Sequence, residues 1–130
     1  MPLRIFLVED NPLIRQAMAE TIGDLVGGGE FVGWGADQAE SIRALLDLGD
    51  GWDVAIVDLF LKTGSGLGVA RALQARAAHQ HVFVVTNYAT DDMRERCAQL
   101  RVDAVYDKST QLEHLIEALV RLGSPLPPTP

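Results

Sequence analysis

Five short apolar segments alternate with longer segments in which apolar residues recur every three or four positions. A short run that is apolar throughout is typical of a strand covered on both faces, whereas the longer spacing is typical of a helix that buries one face. The strands are predicted at about residues 3–8, 31–36, 53–57, 82–85 and 104–106. This alternation indicates βα units whose strands form a parallel sheet.

Several residues between these segments are suited to start or stop the predicted helices. Asn11 and Asp37 are candidate N-caps, because their side-chain oxygens can accept the free N–H groups of a first helical turn. Pro12 follows at the first helical position, where a helix has no use for the N–H that proline lacks. The third helix is predicted over residues 65–78, and Gly123 is predicted to end the fifth.

The number of βα units sets the size and class of the fold. A chain of 130 residues is long enough to enclose one hydrophobic core. Because crossovers between parallel strands are right-handed, five such units predict a doubly wound parallel sheet of the flavodoxin-like (βα)5 type. We therefore predict a single α/β domain over residues 1–124, followed by an extended, proline-rich tail over residues 125–130.

The overall charge and the cysteine content exclude several classes of protein. A formal charge of −7 argues against nucleic-acid binding by this domain, because such binding requires a basic face. No apolar run approaches the roughly 18–20 residues of a membrane span. The first run also stops at Glu9, which is unlike a signal peptide. With Cys97 as its only cysteine, the chain is predicted to be a cytoplasmic protein without an internal disulfide.

Reactive polar residues follow four of the predicted strands at the point where each strand ends. They are Glu9 and Asp10 after the first strand, Asp58 after the third, Thr86 after the fourth and Lys108 after the fifth. The carboxyl ends of parallel strands meet at one edge of a sheet, where proteins of this class bind their ligands. We therefore expect three carboxylates, one hydroxyl and one ammonium group to share a single crevice.

This combination suits a divalent cation and a phosphoryl group. Three close carboxylates repel one another unless a cation neutralises them, and oxygen ligands favour Mg²⁺ or Mn²⁺ over zinc. Taken alone, Glu9 and Asp10 are better explained as a strand end and a helix start, but the matching residues on the other strands reverse that interpretation. Asp58 is placed to act as a nucleophile toward phosphorus, with a hydrogen bond from Thr86 and a positive charge from Lys108.

These residues stand in short segments that resemble the receiver domain of two-component response regulators. The segments are LVEDN at residues 7–11, VDLFL at 57–61 with GSGL at 64–67, VTN at 85–87 and YDKS at 106–109. The resemblance covers about residues 3–122. It implies a signalling domain that accepts a phosphoryl group, not an enzyme.

The resemblance implies a role for each polar residue. Asp58 would accept the phosphoryl group from a histidine kinase or a phosphotransfer protein, while Thr86 and Lys108 would contact the phosphoryl oxygens. Thr86 would also move toward the phosphate and so drive a conformational switch. The implied ligands of Mg²⁺ are Asp10, Asp58 and the backbone carbonyl of Phe60, with Glu9 acting directly or through water.

Two positions beside the implied phosphorylation site are aromatic. In the family, the residues two after the aspartate and two after the threonine tune the lifetime of the acyl phosphate. Here they are Phe60 and Tyr88, and we predict that both rings shield the phosphoryl group from water. The position three before Lys108, where the family usually has an aromatic switch residue, is Val105. Tyr106 and Tyr88 are left as candidate switch residues.

The partner surface and the competing functions complete these expectations. The face formed by the fourth helix, the fifth strand and the fifth helix, about residues 90–122, is implied to bind a downstream protein or a second copy of the chain.

A phosphatase with an aspartate nucleophile is disfavoured, because it needs a second aspartate where Phe60 stands. The open alternative is a receiver-like adaptor that binds its partners without being phosphorylated.

Overall fold

The computed structural model describes residues 2–27 and 29–123, which form ten alternating strands and helices. The strands are β1 (Arg4–Val8), β2 (Glu30–Gly35), β3 (Val54–Asp58), β4 (His81–Thr86) and β5 (Ala104–Asp107). The helices are α1 (Pro12–Leu25), α2 (Gln38–Leu48), α3 (Gly66–Ala72), α4 (Asp91–Gln99) and α5 (Leu112–Gly123). The predicted domain boundary at residue 124 and the predicted tail over residues 125–130 lie outside the described residues.

The five strands form one parallel sheet in the order β2-β1-β3-β4-β5. This order confirms the predicted flavodoxin-like, doubly wound architecture. The chain leaves β1 through α1 on one face of the sheet and reaches β3 through α2 on the other face. The carboxyl ends of β1 and β3 therefore border the crevice at the point where the strand order reverses.

Alternate residues of each strand enter two hydrophobic layers on opposite faces of the sheet. On one face, Phe6 of β1 packs with residues of α2, α3 and α4, including Leu45, Val69 and Cys97. On the other face, Ile5 packs with residues of α1 and α5. All five residues of β3 are buried, which makes it the central strand of the core and holds its last residue, Asp58, in a fixed position.

The caps of the first two helices are those predicted from the sequence. The Asn11 side chain accepts the N–H groups of Leu13 at 2.9 Å and Ile14 at 3.2 Å. The Asp37 side chain accepts the N–H of Glu40 at 2.8 Å. These bonds satisfy donors that the first turn of a helix leaves free, and they fix where the chain turns away from the carboxyl ends of β1 and β2.

The third helix is shorter than predicted, because it ends at Ala72 and not near residue 78. The segment that follows is held by the guanidinium group of Arg76, which donates to the carbonyl oxygens of Leu73 at 3.0 Å and Gln80 at 2.8 Å. The same group binds Asp103 at 2.8 Å, before β5. The carbonyl oxygen of Leu73, which would accept the N–H of Ala77 in a longer helix, is thus bound by Arg76, while the N–H of Ala77 donates to Oε1 of Gln80.

Across residues 2–27 and 29–123, no helix combines the length and the apolar character that crossing a membrane would require.

Candidate functional site

The three acidic residues predicted from the sequence lie together at the carboxyl edge of the sheet. Glu9 and Asp10 follow β1, and Asp58 is the last residue of the neighbouring strand β3. One carboxylate oxygen from each residue lies within 4.8 Å of the other two. Glu9 and Asp58 are 1% and 7% exposed, so their charges have little water around them. Such a cluster needs positive charge nearby.

Lys108 supplies part of that charge from the loop after β5. Its Nζ donates to Oε1 of Glu9 at 3.0 Å and lies 3.2 Å from Oδ2 of Asp58. The backbone N–H of Lys108 donates to the carbonyl oxygen of Thr86 at 2.9 Å, which fixes where the side chain begins. The ends of β1, β3, β4 and β5 are therefore joined through one lysine.

Burial and charge shift two ionisation equilibria in this cluster. Burial raises the pKa of Asp58 to about 6, with the Lys108 charge opposing the shift and the Glu9 charge reinforcing it. Burial lowers the pKa of Lys108, but its hydrogen bond to Glu9 and the nearby charge of Asp58 outweigh that effect and leave the pKa above its ordinary value. Lys108 is thus a stable cation, while Asp58 is ionised above about pH 6 at an energetic cost.

The outer sides of the acidic cluster are held by backbone N–H groups. Asp10 accepts the N–H of Lys62 at 2.6 Å, which draws the loop after β3 over the cluster. Glu9 accepts the N–H of Asn11 through Oε2 at 3.2 Å while Oε1 faces Lys108. Glu9 and Asp10 thus each combine a hydrogen bond from the backbone with a position in the cluster.

Thr86 is fully buried at the end of β4. Its hydroxyl oxygen accepts the N–H of Tyr88 at 3.0 Å, so the side chain holds the first turn of the loop after β4. A hydroxyl that accepts one hydrogen bond still has its own proton to donate. Any change in the direction of that hydroxyl is consequently passed to the backbone of the loop.

Phe60 and Tyr88 extend from the loops after β3 and β4 and meet in solvent. The two rings pack edge to face, with 5.4 Å between their centroids, and both side chains are more than half exposed. The pair bridges the loop that follows Asp58 and the loop that follows Thr86. The backbone carbonyl of Phe60, predicted as a metal ligand, stays a prediction.

Gln38, which sequence reasoning missed, fixes the loop after β3 against α2. Its side-chain Oε1 accepts the backbone N–H of Ser65 at 2.9 Å, and the backbone N–H of Gln38 donates to the carbonyl oxygen of Thr63 at 3.2 Å. Gly64, with a φ of 81°, and Gly68 leave the space that the Gln38 side chain fills. No sequence signal marks this glutamine, because its role depends on α2 lying beside the loop.

The family of the chain follows from comparison with known proteins. The family model described as the response regulator receiver domain matches residues 5–120. The chain belongs to this family. In this receiver domain of two-component systems, Glu9, Asp10, Asp58, Thr86 and Lys108 lie at the carboxyl edge of the sheet, and the acidic cluster could hold a metal ion.

Curated relatives of this receiver domain are longer proteins with varied functions. It is 32% identical to the protein-glutamate methylesterase/protein-glutamine glutaminase 5 of Myxococcus xanthus, over 96% of this chain and 35% of that protein. It is 30% identical to the response regulator MprA of Mycolicibacterium vanbaalenii, over 96% of this chain and 53% of that protein. A cyclic di-GMP phosphodiesterase of Thermotoga maritima is 28% identical over 87% of this chain and 29% of its own length. The chain spans about a third to a half of these relatives.

Solved structures share the fold at lower identity. The response regulator domain of Thermotoga maritima CheB has a TM-score of 0.80 at 16% identity, covering 98% of this chain and 100% of that chain. A DNA-binding response regulator of the LuxR family from Staphylococcus aureus has a TM-score of 0.79 at 22% identity, covering 94% of this chain and 99% of that chain. At these identities the likeness shows the fold alone.

Proposed function

We propose that this receiver domain accepts a phosphoryl group on Asp58 from a histidine kinase or a phosphotransfer protein, in a reaction that depends on Mg²⁺ or Mn²⁺. The observation that carries the proposal is the contact of Lys108 with both Glu9 and Asp58 inside a cluster of three carboxylates. A nucleophile, a cation for the phosphoryl oxygens and oxygen ligands for a metal thus share one crevice.

The transfer requires Asp58 to be ionised. A carboxylate oxygen of Asp58 attacks phosphorus while the bond between phosphorus and the imidazole nitrogen of phosphohistidine breaks. The nitrogen keeps the electron pair of that bond, and the product on Asp58 is an acyl phosphate. Because the pKa of Asp58 is about 6, most molecules carry the nucleophilic carboxylate at neutral pH.

The acidic cluster fits a hard divalent cation. Three carboxylates and one ammonium group leave two negative charges uncompensated, and their oxygens converge within 4.8 Å. Glu9, Asp10 and Asp58, with the carbonyl of Phe60, would hold the ion. A bound cation would offset the charge of the phosphoryl group. Lys108, which lies between Glu9 and Asp58, would contact the phosphoryl oxygens from the side of β5.

Thr86 would turn phosphorylation into a change of shape. Its hydroxyl proton would bond to a phosphoryl oxygen, and because the same hydroxyl holds the N–H of Tyr88, the loop after β4 would follow. We propose that the resulting change reaches the face made of α4, β5 and α5, which would bind a downstream protein or a second copy. Such a domain is a phosphoacceptor and not an enzyme, and we place it in the cytoplasm with its kinase.

Acetyl phosphate, a small phosphoryl donor, tests the proposal without knowledge of the kinase. The chain with MgCl₂ should gain the mass of one phosphoryl group in an intact mass spectrum, and with EDTA it should not. Asp58→Asn, which keeps the shape of the side chain, should abolish the gain, whereas the exposed Glu117→Gln on α5 should leave it unchanged. No gain in the wild-type chain would favour the adaptor, and a gain retained by Asp58→Asn would place the phosphoryl group elsewhere.

A further inference from the structure

The side chain of Arg94 in α4 donates hydrogen bonds to the loop before this helix, to β5 and to the segment before α5. Its Nε donates to the carbonyl oxygen of Ala89 at 3.2 Å, in the loop after β4. Its Nη1 donates to the carbonyl oxygen of Val105 in β5 at 2.8 Å, and Nη2 donates to Oε1 of Gln111, just before α5, at 2.8 Å. Because the donors of a guanidinium group are fixed in one plane, the three acceptors cannot move independently of each other while these bonds hold.

The bond to Gln111 brings this connection next to the phosphoryl-binding lysine. Oε1 of Gln111 also accepts the N–H of Asp107 at 3.0 Å, and the N–H of Gln111 donates to the carbonyl oxygen of Asp107 at 2.9 Å. Asp107 directly precedes Lys108, whose ammonium group contacts the acidic cluster. Arg94 and Gln111 therefore set the backbone position from which Lys108 and α5 both start.

The bond to Ala89 brings the same connection next to Thr86. Ala89 follows Tyr88, whose N–H is held by the Thr86 hydroxyl at 3.0 Å. A movement of that hydroxyl toward a phosphoryl group would shift the carbonyl of Ala89, to which Arg94 is bonded. The loop after β4 is thus connected to the start of α5 through one side chain.

Tyr106, the aromatic residue of β5, does not connect Thr86 to the start of α5. Thr86 is paired with Asp107, so Val105, two residues earlier, shares the face of Thr86, while Tyr106 lies on the opposite face. Val105 packs against the core layer beneath α4, whereas Tyr106 packs edge-on against Phe83 in the layer beneath α1 and α5, with 5.7 Å between ring centroids. Tyr106 therefore cannot follow the Thr86 side chain directly.

We propose that Arg94 is a positioning residue that transmits the phosphorylation-induced movement of the loop after β4 to the start of α5. This inference rests on the proposed phosphorylation of Asp58. Arg94 would act through its hydrogen bond to Gln111. In this chain the β5 residue on the same face as Thr86 is Val105, which offers no aromatic ring for that role. Without Arg94 or the side-chain acceptor of Gln111, the loop after β4 should still respond to a phosphoryl group, but the start of α5 should no longer move with that loop.

Backbone amide resonances of the labelled chain can report both loops when Mg²⁺ and beryllofluoride, a phosphoryl analogue, are added. In the wild-type chain, the amides of Tyr88 and Ala89 should shift, and those of residues 111–115 should shift with them. In Arg94→Met, the first group should still shift, while the shifts of residues 111–115 should fall about twofold or more.

Variants of Gln111 and a matched arginine make this test decisive. Gln111→Met should reproduce the loss in residues 111–115, and Gln111→Glu, which keeps an acceptor for both N–H groups, should retain the response. Arg96→Met removes an exposed arginine of the same helix, with a side chain that is 60% exposed, and should behave like the wild type. If Arg94→Met fails to fold, Gln111→Met decides by the same criterion.

Each remaining outcome overturns a specific statement. If Arg94→Met lowers the melting temperature but residues 111–115 respond as in the wild type, Arg94 is structural only and the inference is wrong. If the wild-type loop after β4 responds but residues 111–115 do not, the inference also fails, while the proposed function stands. If the wild-type chain shows no response to beryllofluoride and Asp58→Asn behaves identically, the proposed function itself fails.

Discussion

Replacing Asp58 by asparagine should make the protein more stable at neutral pH, although it removes the proposed phosphoacceptor. The folded state raises the pKa of Asp58 from 3.8 to about 6, so the protonated form is favoured in the fold. The stabilisation from this proton is fully present below about pH 4 and is lost as the pH rises through about 6. A tenfold change in an ionisation equilibrium corresponds to about 1.4 kcal/mol, so the loss amounts to about 3 kcal/mol.

Asparagine resembles the protonated acid in shape but cannot ionise. Near pH 4 the unfolding free energies of Asp58→Asn and the wild type should differ little. By pH 8 the variant should be more stable by about 3 kcal/mol, which corresponds to about 10 °C in melting temperature for a domain of this size. The measurement is urea unfolding at a series of pH values, in buffer with EDTA, with Glu117→Gln as the control for loss of one negative charge.

The comparison isolates Asp58, because all other titrating groups are common to both chains. Stability curves of the wild type and Asp58→Asn that stay parallel from pH 4 to pH 8 would refute the reasoning, since ionisation of Asp58 would then carry no penalty. MgCl₂ at pH 8 should reduce the difference, because a cation between the carboxylates stabilises the wild type more than the variant.

Three further predictions address the site and its support. Gly66→Ala should destabilise the fold by about 1–3 kcal/mol in urea unfolding, because its Cβ would overlap the carbonyl oxygen of Asp58, whereas Gly23→Ala, with open space around it, should be neutral or stabilising. Phe60→Asn and Tyr88→Ala should each shorten the half-life of the acyl phosphate, measured by loss of the added phosphoryl mass after the donor is removed. Unchanged half-lives would contradict the prediction that the two rings shield the phosphoryl group from water. Arg76→Met should cost about 1–2 kcal/mol in thermal unfolding, because it removes the hydrogen bonds to the partly buried carbonyl oxygens of Leu73 and Gln80 and the ion pair with Asp103.

The fold and the meeting of the polar residues at one edge of the sheet could be predicted because both depend on where strands end. Short apolar runs mark the strands, and in a parallel sheet the residues after them must meet at one edge. Glu9, Asp58 and Lys108 are separated by about fifty residues at each step, yet the structure brings them into contact at 3.0 and 3.2 Å. The topology supplies the proximity, and the sequence needs only to place the right residue at each strand end.

What could not be predicted depends on the reach of long polar side chains across neighbouring elements. The end of α3 is set by Arg76, and the helical spacing of apolar residues carries no information about which carbonyl groups a later arginine will bind. The roles of Gln38 and Arg94 could not be predicted for the same reason, since only the packed structure brings their partners within reach. The raised pKa of Asp58 likewise depends on burial, which the sequence does not fix.

The seating of Gln38 between Gly64 and Gly68 has a practical consequence for anyone who wishes to read out the state of this domain. Because the Gln38 side chain joins α2 to the segment after Asp58, we expect a fluorescent dye attached to α2 to report little of a change that starts in the loop after β4. A dye on α4, for example at the exposed Arg96, would instead lie on the helix that carries Arg94 and follows the loop that we expect to move. A biosensor made from this domain should therefore be labelled on α4.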